Sequence, residues 1–577
     1  MKYFTLILFS ATSAENCFSG PTSRYTGELS TTKSGYDCVN WGEAVDPNDP
    51  HKHLPIDAVE KTHNFCRNPD GDLSGVWCYV TNSTKRWEYC DLKKCTNDKS
   101  VIYWTMFDDE QEVSQLSTIS ADPELVRQTL NEADERFQIP VIQHSGNDTM
   151  KEYWAVAADY KHDRILWSDY RGNYIGVYDI KTNQSHARLE GMASGIENLA
   201  VDWLTGNIYW TDSTFRWIMV ANSDMTHYQP VLRAKHPCFG LAVDPIRGEM
   251  FYSQNSHANG AIIKTDLSGT GERKTILSFP TVNDVTSIFM DYEDSSRIYW
   301  TDYQGSIAVV MSATTDGDDI LRHLSQQHSV FWNIVHYRGW LYVSDIAQHI
   351  VQGADGTPEK KYKIWIVNAD DPVHDVTTKK NVHSYKINSR PRGLTIFSEF
   401  EQDNIEAGNF PELNGRQLIN PCDGKSCSGI CLQRGQDKTG VCGCQLGREL
   451  QSSVDGTCEP TSIQGDYLIV GDSVHGEIYK MELKELGEMP KVINPNEDVN
   501  DYFFDDGESV RYTVSAFNMN EIDHKKRFVK AFTVVEDSNG DEVLYWSTHD
   551  EDESAIHYMH FERDEPVKTV SFLNVKL

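Results

Sequence analysis

The 577-residue chain has no run of 18 apolar residues long enough to cross a bilayer as a helix. It is short of positive charge. Its 53 Lys and Arg stand against 86 Asp and Glu, a formal net charge of −33. That balance makes nucleic acid and anionic membrane poor partners for the chain as a whole, with no nucleic acid expected, and favours basic partners. Catalytic signatures are missing: no Gly-Asp-Ser-Gly-Gly, no His-Glu-x-x-His, no phosphate loop and no zinc-type Cys-x-x-Cys. Gly471-Asp472-Ser473 lacks the glycines that would build an oxyanion hole. The expectation is therefore a chain that is not an enzyme and carries no cofactor and no metal. Cysteine is absent over long stretches. Of 13, six fall in residues 17–95, six in 422–458, and Cys238 stands alone between them.

What is present fits an extracellular chain of two to four domains. Aromatics make up 11% of the residues, which argues for folded domains rather than an acidic disordered tail. Residues 1–14 read as a secretory signal peptide, with Lys2 as the positive end, Phe4 to Phe9 as the apolar core and Thr12-Ser13-Ala14 as the cleavage site. Dense cysteines from Cys17 onward suit an oxidising compartment. The expected localisation is extracellular, either secreted or as the ectodomain fragment of a membrane receptor.

The first cysteine cluster is Cys17, Cys38, Cys66, Cys78, Cys90 and Cys95. A segment this short cannot rest on a large core, so disulfides must stabilise it, and spacing alone leaves their pairing open. The stretches His63 to Asp72, Trp77-Cys78-Tyr79 and Arg86-Trp87-Glu88-Tyr89-Cys90 resemble a kringle domain over residues 17–95. The resemblance implies Cys17–Cys95, Cys38–Cys78 and Cys66–Cys90. It also implies a lysine site. Asp70 and Asp72 would take the ammonium, Trp77, Tyr79 and Trp87 would form the trough for the methylenes, and Arg86 would meet the carboxylate. The plainer reading is that Trp77 and Tyr79 only pack the core and Asp70 only turns the chain with Gly71. Val76 stands where such kringles usually carry Pro.

The middle of the chain repeats a pentad. Ile102-Tyr103-Trp104-Thr105-Met106 is followed by Ile165 to Asp169, Ile208-Tyr209-Trp210-Thr211-Asp212, Met250 to Gln254, Ile298-Tyr299-Trp300-Thr301-Asp302 and Leu341 to Asp345. Most copies recur after 42 to 48 residues; the first step is longer, with an insertion over roughly Asp108 to Asp148. Within it Asp122-Pro123-Glu124-Leu125-Val126-Arg127 reads as a helix start. A second apolar strand precedes most pentads, as in Leu199 to Trp203, Leu241 to Pro245 and Ile288 to Tyr292. Ile218-Met219-Val220 and Thr275-Ile276-Leu277 read as third and fourth strands. Four strands per unit at this period predict propeller blades, which bury their faces only by stacking.

These repeats resemble the six-bladed propeller of the low-density lipoprotein receptor family, its class B repeats, over residues 101–400. That family implies an EGF-like module next, and Cys422, Cys427, Cys431, Cys442, Cys444 and Cys458 supply it at 420–459. The implied pairing is Cys422–Cys431, Cys427–Cys442 and Cys444–Cys458. No acidic calcium signature leads into Cys422. Tyr467 to Asp472 and Val543 to Thr548 then resemble the first two blades of an incomplete second propeller over 463–577, as in a piece of a longer chain.

The expected fold class is mainly β and multidomain. The expected function is non-catalytic ligand binding outside the cell, receptor-like, with basic or lysine-presenting proteins as partners; the alternative is a secreted matrix protein of nidogen-like propeller–EGF type. Tandem propeller–EGF units resemble the Wnt co-receptors, whose Trp-Pro-Asn-Gly turn is here Asp284-Val285-Thr286-Ser287, which puts their peptide site in doubt. Cys238 is expected to be buried and inert. Glycosylation sequons occur at Asn82, Asn147 and Asn183.

Overall fold

The computed structural model describes residues 17–18, 25–42, 62–69, 75–81, 86–94, 100–108, 113–121 and 139–144. It also describes most of 151–398 and 418–460, and the strands between Tyr467 and Ser571. The signal segment and the Asp122–Arg127 stretch lie outside the described residues. The chain is mainly β and multidomain, and it falls into two compact units. The first holds residues 1–167, 256–262 and 276–417; the second holds 168–255, 263–275 and 418–577.

Six consecutive four-stranded sheets of the propeller-blade type run through residues 101–397. Five are simple meanders. Tyr153–Asp159, Ile196–Asp202, Leu241–Asp244, Val285–Met290 and Phe331–Tyr337 are their lead strands, and each is followed by a pentad strand, a third strand and a fourth. The sheet opened by Val101–Asp108 differs. No strand of the repeat precedes it, and its lead strand is Arg390–Phe397, which pairs antiparallel with it from Arg390↔Phe107 to Phe397↔Val101. The last strand of the series thus completes the first sheet.

Two cores organise the first unit. One joins Ile102, Trp104 and Met106 to Tyr342, Ile364, Ile366 and Leu394. The other joins Tyr299 and Val310 to Phe331, Ile334, Leu341, Val343 and Trp365. Pentad strands are buried on both faces, as their continuous apolar runs require. Where Val101–Asp108 and Arg390–Phe397 begin and end together, a three-hydroxyl clasp forms. Ser100 Oγ lies 2.5 Å from Tyr337 Oη and 2.9 Å from Ser398 Oγ, and Tyr337 Oη lies 3.1 Å from Ser398 Oγ. Between the last two sheets of this unit His323 is fully buried. Its Nε2 lies 2.8 Å from Ser312 Oγ, and its ring tilts against Tyr299, which stacks on His336. Burial, with Arg297 and His336 nearby, pulls His323 down to about 3.

In the second unit Tyr209 Oη donates to the Leu267 carbonyl at 3.0 Å, tying one sheet to the next. The module at 418–460 packs on the same sheets. Asn207 Nδ2 donates to the Cys431 carbonyl at 2.7 Å, and Gln433 Nε2 donates to the Pro245 carbonyl at 3.1 Å. The module carries two short hairpins, Ile430–Arg434 with Thr439–Gly443 and Arg448–Leu450 with Cys458–Pro460. Its disulfides are Cys422–Cys431, Cys427–Cys442 and Cys444–Cys458. Cys238 is a buried free thiol whose pKa burial pushes far up, so it is held inert. Tyr467–Asp472, Glu477–Glu482 and Val514–Ala516 form a three-stranded sheet, and four more strands follow from Phe528 to Ser571.

Candidate functional site

Two constellations stand out. In the cysteine-rich segment Trp77–Tyr79 pairs antiparallel with Trp87–Tyr89. Side chains alternate along a strand, so Trp77, Tyr79, Trp87 and Tyr89 share one face while Cys78 and Glu88 share the other. On the cysteine face Cys38–Cys78 and Cys66–Cys90 are bonded and pack with Val76 and Val80. On the aromatic face the rings meet edge to face: Trp77 with Trp87 at 5.8 Å, Trp77 with Tyr79 at 5.2 Å and Trp87 with Tyr89 at 5.2 Å. Trp41 closes the cluster from below, 5.0 Å from Trp77, with its Nε1 donating to the Phe65 carbonyl at 2.7 Å.

Of the residues read as a lysine site, Trp77 and Tyr79 are buried at 1% and 8% exposure, Trp87 is half-buried and Arg86 is exposed. Asp70 and Asp72 lie outside the described residues. Cys17 begins a two-residue strand pairing with Lys93–Lys94, and Cys95 lies outside the described residues. Asn82 and Asn147 do too, while Asn183 is exposed in a turn with its Oδ1 accepting from Tyr178 Oη at 2.7 Å. Trp41 and Tyr89 were not singled out in the sequence. The alternation Trp77-x-Tyr79 against Trp87-x-Tyr89 is the signal that finds Tyr89.

The second constellation sits at the amino ends of lead strands. Strand pairing slips there in the same place in several sheets: between Ile196 and Leu199, Val285 and Ser287, Phe331 and Asn333, and Pro391 and Leu394. A bulge re-aims the side chain it carries. The pentad's fourth residue, Thr or Ser, anchors each bulge. Ser344 Oγ accepts from Asn333 N–H at 3.0 Å in its own sheet and donates to the Arg392 carbonyl at 2.7 Å in the next. Thr105 Oγ1 accepts from Gly393 N–H at 2.9 Å and donates to the Trp154 carbonyl at 2.5 Å. Ser168 Oγ donates to the Ile196 carbonyl at 3.4 Å. The hydroxyl of the repeat thus stitches one blade to the next through the bulge. The fifth residue, Asp, holds the entering loop: Asp302 Oδ1 accepts from Asp284 N–H at 2.7 Å and Asp345 Oδ1 from Val330 N–H at 3.0 Å.

This stitching brings three bulge-region side chains together. The Arg392 guanidinium lies 3.6 Å over the Trp154 ring and 5.4 Å from Trp332, and the two indoles meet edge to face at 5.4 Å. Glu152 Oε1 accepts from Arg392 at 3.3 Å. Arg392 is buried, while both indoles are half-buried and keep an open side. A cation held against two indoles is an arrangement of the sort that carries binding energy at protein interfaces. Trp154, Trp332 and Arg392 come from three sheets, and sequence reading passed over them. Aligning the lead strands column by column would have found them, since they share a column with Glu197 and Thr286.

Comparison with known proteins adds the following. The kringle domain family matches residues 17–95. Plasminogen from Capra hircus is 40% identical over 89 residues, which are 15% of this chain and 68% of that sequence. Among solved structures, a chain of the nidogen/laminin complex superposes with a TM-score of 0.40 at 15% identity, over 52% of this chain and 98% of that one. TolB from Acinetobacter baumannii superposes with a TM-score of 0.38 at 10% identity, over 52% of this chain and 66% of that one.

Proposed function

From the premise that the chain belongs, through residues 17–95, to the kringle-containing proteins, we propose that it is a non-catalytic extracellular ligand-binding protein of receptor type. Its kringle takes lysine-presenting partners. Its six blade sheets form a propeller like that of the low-density lipoprotein receptor family, followed by an EGF-like module. The observation that carries the reading is the aromatic face of the kringle hairpin, backed by two disulfides. Trp77 and Tyr79 form its buried floor and Trp87 its accessible wall. Arg86, next to Trp87, supplies the cation, and Asp70 with Asp72 supply the carboxylates. A lysine side chain laid along Trp87 gives its methylenes an aromatic surface and its ammonium a carboxylate pair. The Trp154–Trp332–Arg392 platform supports a second, propeller-borne contact.

The test is a titration of the whole chain with ε-aminocaproic acid, followed by tryptophan fluorescence and by the indole resonance of Trp87. Saturable change is expected, abolished in Trp87→Ala and in Asp70→Asn/Asp72→Asn. A flat titration through millimolar ligand sinks the lysine site.

A further inference from the structure

The strands Trp340–Gln352 and Pro358–Asn368 run for 13 and 11 residues, longer than the other strands of the described residues. Their sheet does not follow them. The lead strand pairs only as far as Phe331↔Asp345, and the fourth strand pairs only from Tyr362↔Ile387. Beyond those points the two strands continue as a ribbon, through His349↔Lys361, Ile350↔Lys360, Val351↔Glu359 and Gln352↔Pro358. Among the described residues no third strand pairs with Ala347–Gln352 or with Pro358–Lys361. The ribbon rises past Phe331, the neighbour of Trp332, so it leaves the sheet at the end that bears the tryptophan–arginine platform.

Its chemistry is unlike that of the chain around it. Over 345–352, 358–368 and 382–390 there are five Lys and Arg (Lys360, Lys361, Lys363, Lys386, Arg390) and two acids (Asp345, Glu359), in a chain of net charge −33. Both acids already have partners: Asp345 pairs with His349 at 2.9 Å and Glu359 with Lys361 at 3.0 Å. Lys363 and Lys386 lie directly across the sheet from each other, and Asp345 lies opposite Lys363 on its other side. The two faces differ. Lys361, Lys363, Lys386 and His349 share one with Glu359, whereas Ile350 shares the other with Lys360 and Tyr362. Ile350 is 78% exposed, the most exposed large apolar side chain among the described residues. Lysines on an open edge also deter self-pairing. A ribbon built only to deter would not hold an isoleucine in water.

We propose that this ribbon is a docking arm that takes an extended segment of a partner protein as a third strand. The segment alternates acidic with β-branched apolar residues. Its carboxylates meet the Lys361, Lys363 and Lys386 face, and its apolar side chains cover Ile350. Main-chain hydrogen bonds to the open edge give affinity and the alternation gives specificity. The arm is separate from the kringle and does not use its lysine site.

The experiment uses the whole chain and a fluorescein-labelled peptide of alternating Glu and Val, read by anisotropy at physiological salt. Saturable binding is expected, with none for the matching Lys–Val peptide and no effect of ε-aminocaproic acid. Lys360→Glu/Lys361→Glu and, separately, Ile350→Ser are each expected to weaken it about tenfold. Both leave the thermal midpoint in place, since these side chains sit at the surface. N-methylation of alternate peptide amides, which removes the edge hydrogen bonds, is expected to abolish binding. No saturation up to millimolar peptide overturns the proposal, as does equal binding by the N-methylated peptide or by the charge-reversed variant. Retention on a sulfated polysaccharide that Lys360→Glu/Lys361→Glu removes, with no peptide binding, overturns it in favour of a glycan.

Discussion

The kringle segment and the blade sheets bury tryptophan in opposite ways. In the kringle, Trp41, Trp77 and Trp87 gather with Tyr79 and Tyr89 on one face of a two-stranded hairpin, and disulfides hold the other face. In the sheets, Trp104, Trp210 and Trp300 are each nearly fully buried in a separate blade. A small domain lacks a large core, and covalent links replace it. The sheets enclose the pentad tryptophans Trp104, Trp210 and Trp300 one to a blade and leave Trp154 and Trp332 half-buried. Tryptophan is gathered on one hairpin face in the first region and spread one to a blade through the pentads of the second.

Three perturbations test that contrast, from large to small. Cys38–Cys78 and Cys66–Cys90 span 40 and 24 residues, each worth roughly 3–4 kcal/mol to so small a domain. Replacing both pairs by Ser is expected to unfold the kringle and remove ε-aminocaproic acid binding, while the calorimetric transition of the sheets keeps its midpoint. Parallel loss of that transition would show that the regions do not stand apart. Trp300→Ala should do the reverse, costing the sheets about 3–5 kcal/mol through the cavity it leaves. Ligand binding at the kringle is expected to survive; its loss would break the comparison.

The smallest effect comes from pH. In the unfolded chain His323 takes up a proton near 6.5, whereas burial holds it neutral in the folded sheets down to about 3. Between those values the unfolded state binds more protons, so stability falls as pH falls, by about 2 kcal/mol from this group at pH 5. His323→Gln should flatten the acid limb of the sheets' stability curve by that amount and leave the kringle unmoved. An unchanged slope would place the acid sensitivity elsewhere.

The pentads were legible because aromatic and β-branched residues in short runs, closed by Asp, state a strand without help from the rest of the chain. The lead strands before most of the pentads were nearly as plain. Arg390–Phe397 was not, because it serves a sheet whose partner residue Thr105 lies 288 positions from Gly393, and no local pattern encodes so distant a pairing. The platform was hidden for a related reason: Trp154, Trp332 and Arg392 are unremarked singly and come together only when three sheets pack side by side. The ribbon was hidden too. After Leu341 to Asp345 the residues Ala347-Gln348-His349-Ile350-Val351 do not alternate, so nothing marks a strand that outruns its sheet.

The pairing of Arg390–Phe397 with Val101–Asp108 also has a mechanical meaning. The chain enters the sheet series at Val101 and leaves it at Phe397, and these two residues are partners in the register. Tension between the flanking segments therefore pulls on one rung at a time, as a zipper opens, instead of loading the whole ladder in shear. The first bonds to carry that load are those among Ser100, Ser398 and Tyr337, set at the end where the zipper starts. Under such a load those three hydroxyls would part before any rung of the ladder.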